Sequence, residues 1–219
     1  MPRPSARQRE TLGTRASKGM SNYIVWIDCE MTGLEVETDE LCEIAVIVTD
    51  EELVPVDAGL QIVIKPSSKA MANMGEFVTN MHQESGLLLE IPNGESAKSA
   101  EASVLKYLQK WIPEPRTAPL AGNSIGTDRM FLNRYMPTLD SFLHYRNIDV
   151  SSIKELTRRW YPRVYFQLPK KSGGHRALAD IKESIQELRY YRKTVMIDQP
   201  GPDSEAAKKV ADSLDADTI

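Results

Sequence analysis

Residues 23–30 read YIVWIDCE, and no other stretch constrains the fold as tightly. Ile24 to Ile27 is an unbroken apolar run, short, β-branched and aromatic, which marks a buried central strand. Asp28 and Glu30 follow within the same strand, split only by Cys29. Alternate side chains share one face of a strand, so the two carboxylates project together while Cys29 faces the other way as a packed thiol. Like charges a few ångströms apart repel, and one carboxylate holds its proton unless a positive charge sits between them. Two acids on one face of a greasy strand have little structural use and point to a metal site.

The rest of the chain supplies the layers around that strand. LCEIAVIVTD (41–50) and GLQIVIKP (59–66) read as two further strands of an antiparallel meander. Helical spacing runs through 70–88 with a glycine break, and through 96–112, stopped by Pro113. APLAGN (118–123) is a short strand before a helix over 127–136, and 145–151 is another strand before a helix ending near Tyr161–Pro162. Ser152, with Glu155 three residues on, has the form of a capping box for that helix. A loop with Pro169, Gly173 and Gly174 leads to a last helix over 175–192, whose Leu178, Ile181, Ile185 and Leu188 form one apolar stripe. Three strands and then strand–helix alternation give an α/β fold: a mixed central sheet, antiparallel meander plus parallel strands, flanked by helices.

Charge is unevenly spread over the 219 residues. Residues 1–20 hold five basic groups against Glu10 and lack apolar periodicity, which reads as a disordered basic leader. Residues 197–219 open on Pro and Gly, hold six acids against two lysines, and read as an acidic, solvated, disordered tail with a transient helix near 205–214. The domain between, 21–196, is itself net acidic, which disfavours wrapping a long duplex but not holding a small phosphorylated substrate through metal ions. No run approaches the length of a membrane span, and two cysteines without a pairing pattern suit reduced thiols in the cytoplasm.

Asp28 and Glu30 have potential partners. Asp128 opens one helix, and Asp180 lies in the first turns of the last helix, five residues after His175. Four acids at element ends beside a histidine are the parts of a two-metal phosphodiester site. Mg²⁺ and Mn²⁺ take oxygen ligands, and two of them about 3.5–4 Å apart can hold the attacking and leaving oxygens of an in-line displacement. A histidine can take the proton of the attacking water. By spacing alone, Asp128 equally fits a helix N-terminus, Asp180 a surface acid and His175 a loop residue.

Four blocks bring in a resemblance: DCEMTGL (28–34), GNSIGTDRMFL (122–132), HYRNIDVSSIKELTRRW (144–160) and HRALADIKESI (175–185). In order and separation they resemble the signature blocks of the oligoribonuclease family, DEDD exonucleases of the histidine subclass with a ribonuclease-H-like fold. The resemblance implies that Asp28, Glu30, Asp128 and Asp180 hold two divalent cations, Mg²⁺ or Mn²⁺, with His175 as general base. It implies 3′→5′ hydrolysis of short single-stranded RNA, down to dinucleotides, to 5′-mononucleotides, including in bacteria the linear dinucleotide from cyclic di-GMP breakdown. It further implies Leu34 as a wedge between bases, Phe77 as a stacking ring, Ser124, Arg146 and Ser151 as a cap on the 5′-phosphate, and Tyr145 reaching in from the partner of a homodimer. No membrane and no obligatory protein partner is expected.

Beside that resemblance, Leu34 and Phe77 fit a core, Arg146 a surface ion pair and Ser151 a helix cap. His82 fits either a polar contact near the site or a cap. Arg158, Arg159, Arg163, Lys170 and Lys171 fit a solvated face or phosphate steering. Two other functions share the acids and the histidine: a proofreading or RNA-trimming exonuclease on longer 3′ ends, and an inactive nucleic-acid-binding module on the same fold.

Overall fold

The computed structural model describes residues 20–170 and 173–214. Strands β1 (Ile24–Met31), β2 (Leu41–Thr49) and β3 (Leu60–Val63) form the antiparallel meander. Helices α1 (Ser68–Asn73), α2 (Glu76–Glu84), α3 (Leu87–Glu90) and α4 (Ala97–Leu108) follow. Then come β4 (Pro119–Gly122), α5 (Ile125–Tyr135), α6 (Pro137–Phe142), β5 (His144–Asp149), α7 (Val150–Trp160), α8 (Pro162–Tyr165), α9 (Ala177–Thr194) and α10 (Ser204–Ser213). The sheet order is β3-β2-β1-β4-β5, with β4 parallel to β1 and β5 parallel to β4. The expected mixed sheet between helices is the observed architecture, with β1 at its centre.

Strand alternation divides the core into two layers. Val25, Ile27, Cys29 and Met31 pack with Ile44, Val46 and Val48 against Val104 and Leu108 of α4 and Phe131 and Leu132 of α5. On the other face, Trp26, Ala45 and Ile47 meet Ile181, Ile185, Leu188 and Tyr191 of α9. The Trp26 indole is wholly buried and donates to Thr49 Oγ1 at 3.0 Å, so its one polar atom is satisfied. The stripe read from α9 is therefore the surface that covers the sheet, with Leu178 at its margin.

Three local expectations shift. The 70–88 segment is three short helices rather than one helix with a break. Helix α7 begins earlier than Ser152: Asp149 is its cap, its carboxylate accepting the Ser151 N–H at 2.9 Å. A carboxylate just before the helix outcompetes a hydroxyl already inside the first turn. Within the acidic tail, Ser204–Ser213 is helical and exposed, with Asp203 accepting from the Ala206 N–H. Residues 1–19 of the leader, Lys171, and residues 215–219 of the tail lie outside the described residues.

Candidate active site

Trp26, Asp28 and Glu30 form one row on the face that α9 covers. Where the row reaches the C-terminal end of β1, the first turn of α9 delivers Asp180. Asp28, Glu30 and Asp180 each offer a carboxylate oxygen within 4.8 Å of the others. Asp128, in the first turn of α5, joins them through the backbone: its Oδ1 accepts the Cys29 N–H, between the two acids of β1, at 2.9 Å. All four acids named from the sequence thus come from three elements to one end of the central strand.

The electrostatics are those of carboxyls crowded together and partly buried. Burial, then repulsion from Asp128, Asp180, Glu30 and Glu43, pushes the Asp28 carboxyl far above the usual carboxylate range. Burial, followed by the charges of Asp180, Glu43 and Asp128, pushes Glu30 up to about 8, Arg176 pulling the other way. Burial alone dominates at Asp128, pushed up to about 7 against its helpful backbone hydrogen bonds. Hard oxygen donors that repel one another in a partly buried pocket suit divalent cations of the Mg²⁺ or Mn²⁺ type. The Cys29 side chain is buried on the opposite face, in the α4–α5 layer, and its thiol offers nothing to this cage.

His175 lies in the loop just before α9, exposed, with φ +44°. A non-glycine residue in the left-handed region carries strain and persists only where its surroundings impose it. Ser124, with φ +52°, is a second such residue. What imposes the start of α9 is a pair that motif spacing missed. Glu43 of β2 lies directly opposite Glu30 in the strand register and is wholly buried. Its carboxylate accepts from Arg176 Nη2 at 2.7 Å, from Gln61 Nε2 at 2.7 Å and from the Ala177 N–H at 2.9 Å. Arg176 also binds Glu90 at the end of α3 at 2.8 Å. The reasoning that singled out Asp28 and Glu30 applies equally to Glu43, an acid inside the apolar run of β2.

His82 resolves toward the site. It is fully buried on α2, its Nε2 donates to the Met31 carbonyl at 2.8 Å, and its Nδ1 stands 3.9 Å from Glu30. Burial lowers its pKa, which suits a neutral ring behind Glu30.

The implied substrate contacts fall into separate groups. Leu34, 71 % exposed, tops a turn fastened by Asp39, which accepts from Thr32 Oγ1 and the Glu35 N–H at 2.9 Å each. Gly33 is needed there because a Cβ would run into the Asp39 carboxylate. Phe77 on α2 is 81 % exposed, so neither residue belongs to the core. Ser124 and Ser151 are together: the Ser124 N–H donates to Ser151 Oγ at 2.9 Å and their hydroxyls lie 3.1 Å apart. Ser151 is held from behind by Asn123 Oδ1 at 3.1 Å. Arg146 and Tyr145 sit exposed on β5, the guanidinium 5.5 Å from the centroid of the Tyr145 ring. Arg158 and Arg159 are both engaged by Glu155 on α7, a solvated ion-pair face rather than free cations.

An exonuclease family model matches residues 25–188, from the first residues of β1 almost to the end of α9. The solved complex of E. coli exonuclease I with single-stranded DNA superposes with a TM-score of 0.64 over 80 % of this chain and 41 % of its own, at 12 % identity, a likeness of fold. Fold, acid cage and family match together define an exonuclease, of a class that is metal-dependent. An oligoribonuclease from Leifsonia xyli subsp. xyli is 59 % identical over 89 % of this chain and 94 % of its own. One from Streptomyces coelicolor is 57 % identical over 88 % of this chain and 96 % of its own. The chain belongs to the oligoribonuclease family.

Proposed function

We infer that the protein is a metal-dependent 3′→5′ exoribonuclease whose substrates are short single strands, dinucleotides above all, cut to 5′-mononucleotides. The observation that carries this reading is the carboxylate cluster of Asp28, Glu30 and Asp180 with Asp128 on the Cys29 N–H. These four acids would hold two divalent cations, Mg²⁺ or Mn²⁺. When bound, such ions neutralise the cage and the phosphodiester and favour ionisation of water.

The chain's own residues do the rest. His175, exposed at the rim, takes the proton of the attacking water on an imidazole nitrogen and releases it to solvent. Leu34 and Phe77 offer apolar surface to any base, a contact worth roughly 1–3 kcal/mol per base. Ser124, Ser151 and Arg146 receive the 5′-phosphate with hydroxyls and a charged donor. A cap on the 5′ end favours a short strand over a long one, and the linear dinucleotide left from cyclic di-GMP is of that size.

We also propose a homodimer. Strand β5 is a sheet edge, and an open edge strand invites pairing with another chain. It exposes Tyr145 beside a cleft of about 550 Å³ lined by Arg129, Met130, Arg134 and Asn147. The catalytic domain is taken as 21–196, with the basic leader and acidic tail as appendages. Among the described residues no helix is long and apolar enough to cross a membrane, and a cytoplasmic site of action is proposed.

The test is turnover of a 5′-labelled diribonucleotide with Mn²⁺. Release of labelled mononucleotide, abolished by EDTA and by Asp28→Ala, is the expected result. Activity that survives either treatment overturns the metal reading.

A further inference from the structure

Helix α9 starts on a carboxylate that is not its own. Arg176, at its N-cap position, makes no side-chain cap, and the Ala177 N–H goes instead to Glu43 of β2. The Arg176 fork meets Glu43 through Nε and Nη2 at 3.1 and 2.7 Å, and Glu90 through Nη1 and Nη2 at 2.8 and 3.1 Å. One guanidinium therefore ties together β2, the end of α3 and the start of α9. A planar fork with five donors can make paired contacts to two carboxylates at once, which the three donors of an ammonium cannot.

Helix stability does not require this arrangement. A Ser or Asp at position 176 would cap α9 locally. Nor does the fold require it, since a buried ion pair is often no more stable than well-packed apolar residues of the same volume. It also sets one more acid beside a cage of acids, where Glu43 adds to the repulsion felt by Asp28 and Glu30. What the clamp supplies is position. His175 is the residue immediately before Arg176, and Asp180 lies four residues after it, one helical turn away.

We propose that the Glu43–Arg176 pair is a positioning device for the reaction, fixing the start of α9 so that His175 and Asp180 face the acids of β1 in reacting geometry. This rests on the reading of His175 as the base and Asp180 as a cation ligand. Neither Glu43 nor Arg176 touches the substrate in this scheme; both act through their neighbours. Displacement of a reacting group by about 1 Å can cost roughly 100-fold in rate.

The experiment uses the full chain and the variants Arg176→Lys, Arg176→Ala, Glu43→Gln and the Glu43→Gln/Arg176→Ala double. With a diribonucleotide and Mn²⁺, kcat should fall about 10- to 100-fold in Arg176→Ala while KM changes less than about threefold. Arg176→Lys, which keeps the charge and loses the fork, should be intermediate and folded by circular dichroism. Added guanidinium should raise the rate of Arg176→Ala and leave wild type unchanged. The double variant should be no slower than the slower single one, because the two residues act as a unit.

A second readout needs neither metal nor activity. In metal-free protein, hydrogen exchange at the amides of 177–180 should be about tenfold faster or more in Glu43→Gln and Arg176→Ala, with the far end of α9 unaffected. Unchanged kcat, a loss confined to KM, or an equally protected first turn overturns the proposal. If wild type does not cleave the diribonucleotide, the reading of the reaction fails, and the exchange data alone decide whether the clamp positions α9.

Discussion

Asp128 reaches across the sequence to accept the N–H of Cys29 at 2.9 Å, between the two acids of β1. This bond makes the spacing of Asp28, Glu30 and Asp128 a property of the backbone rather than of flexible side chains. Asparagine at 128 keeps the accepting oxygen and removes the charge. Because burial pushes the Asp128 carboxyl up to about 7, its ionised form burdens the metal-free fold above that pH. Asp128→Asn should stabilise the metal-free protein at pH 8 by on the order of 1–3 kcal/mol while lowering activity about 100-fold or more. Urea unfolding in EDTA and turnover in Mn²⁺ measure both; a destabilised or fully active variant contradicts the assignment.

The same shifts give an unusual pH dependence. Carboxyls raised in the folded state bind protons there that the unfolded chain has already released, so their contribution to stability is largest at acid pH. It is lost as pH rises from about 4, the ordinary carboxylate value, through about 7 for Asp128 and about 8 for Glu30. In EDTA the melting temperature should therefore fall between pH 5 and 8. Saturating Mn²⁺ should remove or reverse that slope, and binding near pH 6.5 should release protons, read by calorimetry in buffers of different ionisation enthalpy. A metal-free protein that gains stability over this interval would show the acids to be separated or already paired with cations.

Leu34 and Phe77 are large apolar side chains exposed to solvent, and their stability role is small. Leu34→Ala and Phe77→Ala should leave unfolding free energy within about 0.5 kcal/mol of wild type. Each should raise KM for a diribonucleotide about 5- to 150-fold, the range expected for loss of one base contact. A large loss of stability with unchanged KM would return both to a structural role.

Core packing gives a contrasting case. Ile185 of α9 is buried against the sheet at the level of Trp26, and Ile185→Ala should cost roughly 2–5 kcal/mol. Chemical denaturation measures it, and a loss under about 1 kcal/mol would mean that α9 is not the layer that closes this face.

How much of this was legible in the residues follows from what each signal reports. Alternation in β1 and the stripe on α9 are properties of local periodicity, and both faces came out where the pattern put them. The four acids and His175 could be named because motif blocks carry them, yet no pattern gives the bond from Asp128 to Cys29. Glu43 and Arg176 were missed because their meaning is a contact between strands and helices far apart in sequence. The local box at Ser152 matches a cap by sequence, whereas Asp149, three residues earlier, offers the stronger acceptor to both Ser151 and Ser124. The division of 70–88 into three pieces depends on Gly75 and Gly86, of which only Gly86 adopts the left-handed φ that ends a helix.

Substrate length is the least local property, and Arg146 tests it. Its guanidinium lies over the Tyr145 ring and its Nε donates to the Tyr145 hydroxyl at 3.1 Å. No buried group depends on it, so Arg146→Ala should fold like wild type. A charged donor to a phosphate is worth about 1.5–3 kcal/mol, which predicts a KM increase of roughly 10- to 100-fold for a 5′-phosphorylated diribonucleotide. A long single strand has no 5′ end near the site, so its cleavage should change less than about threefold, and a diribonucleotide lacking the 5′-phosphate should be insensitive to the substitution. Steady-state kinetics on the three substrates give the comparison directly. If short and long strands suffer equally, the cap on the 5′ end does not exist and the protein trims longer 3′ ends instead.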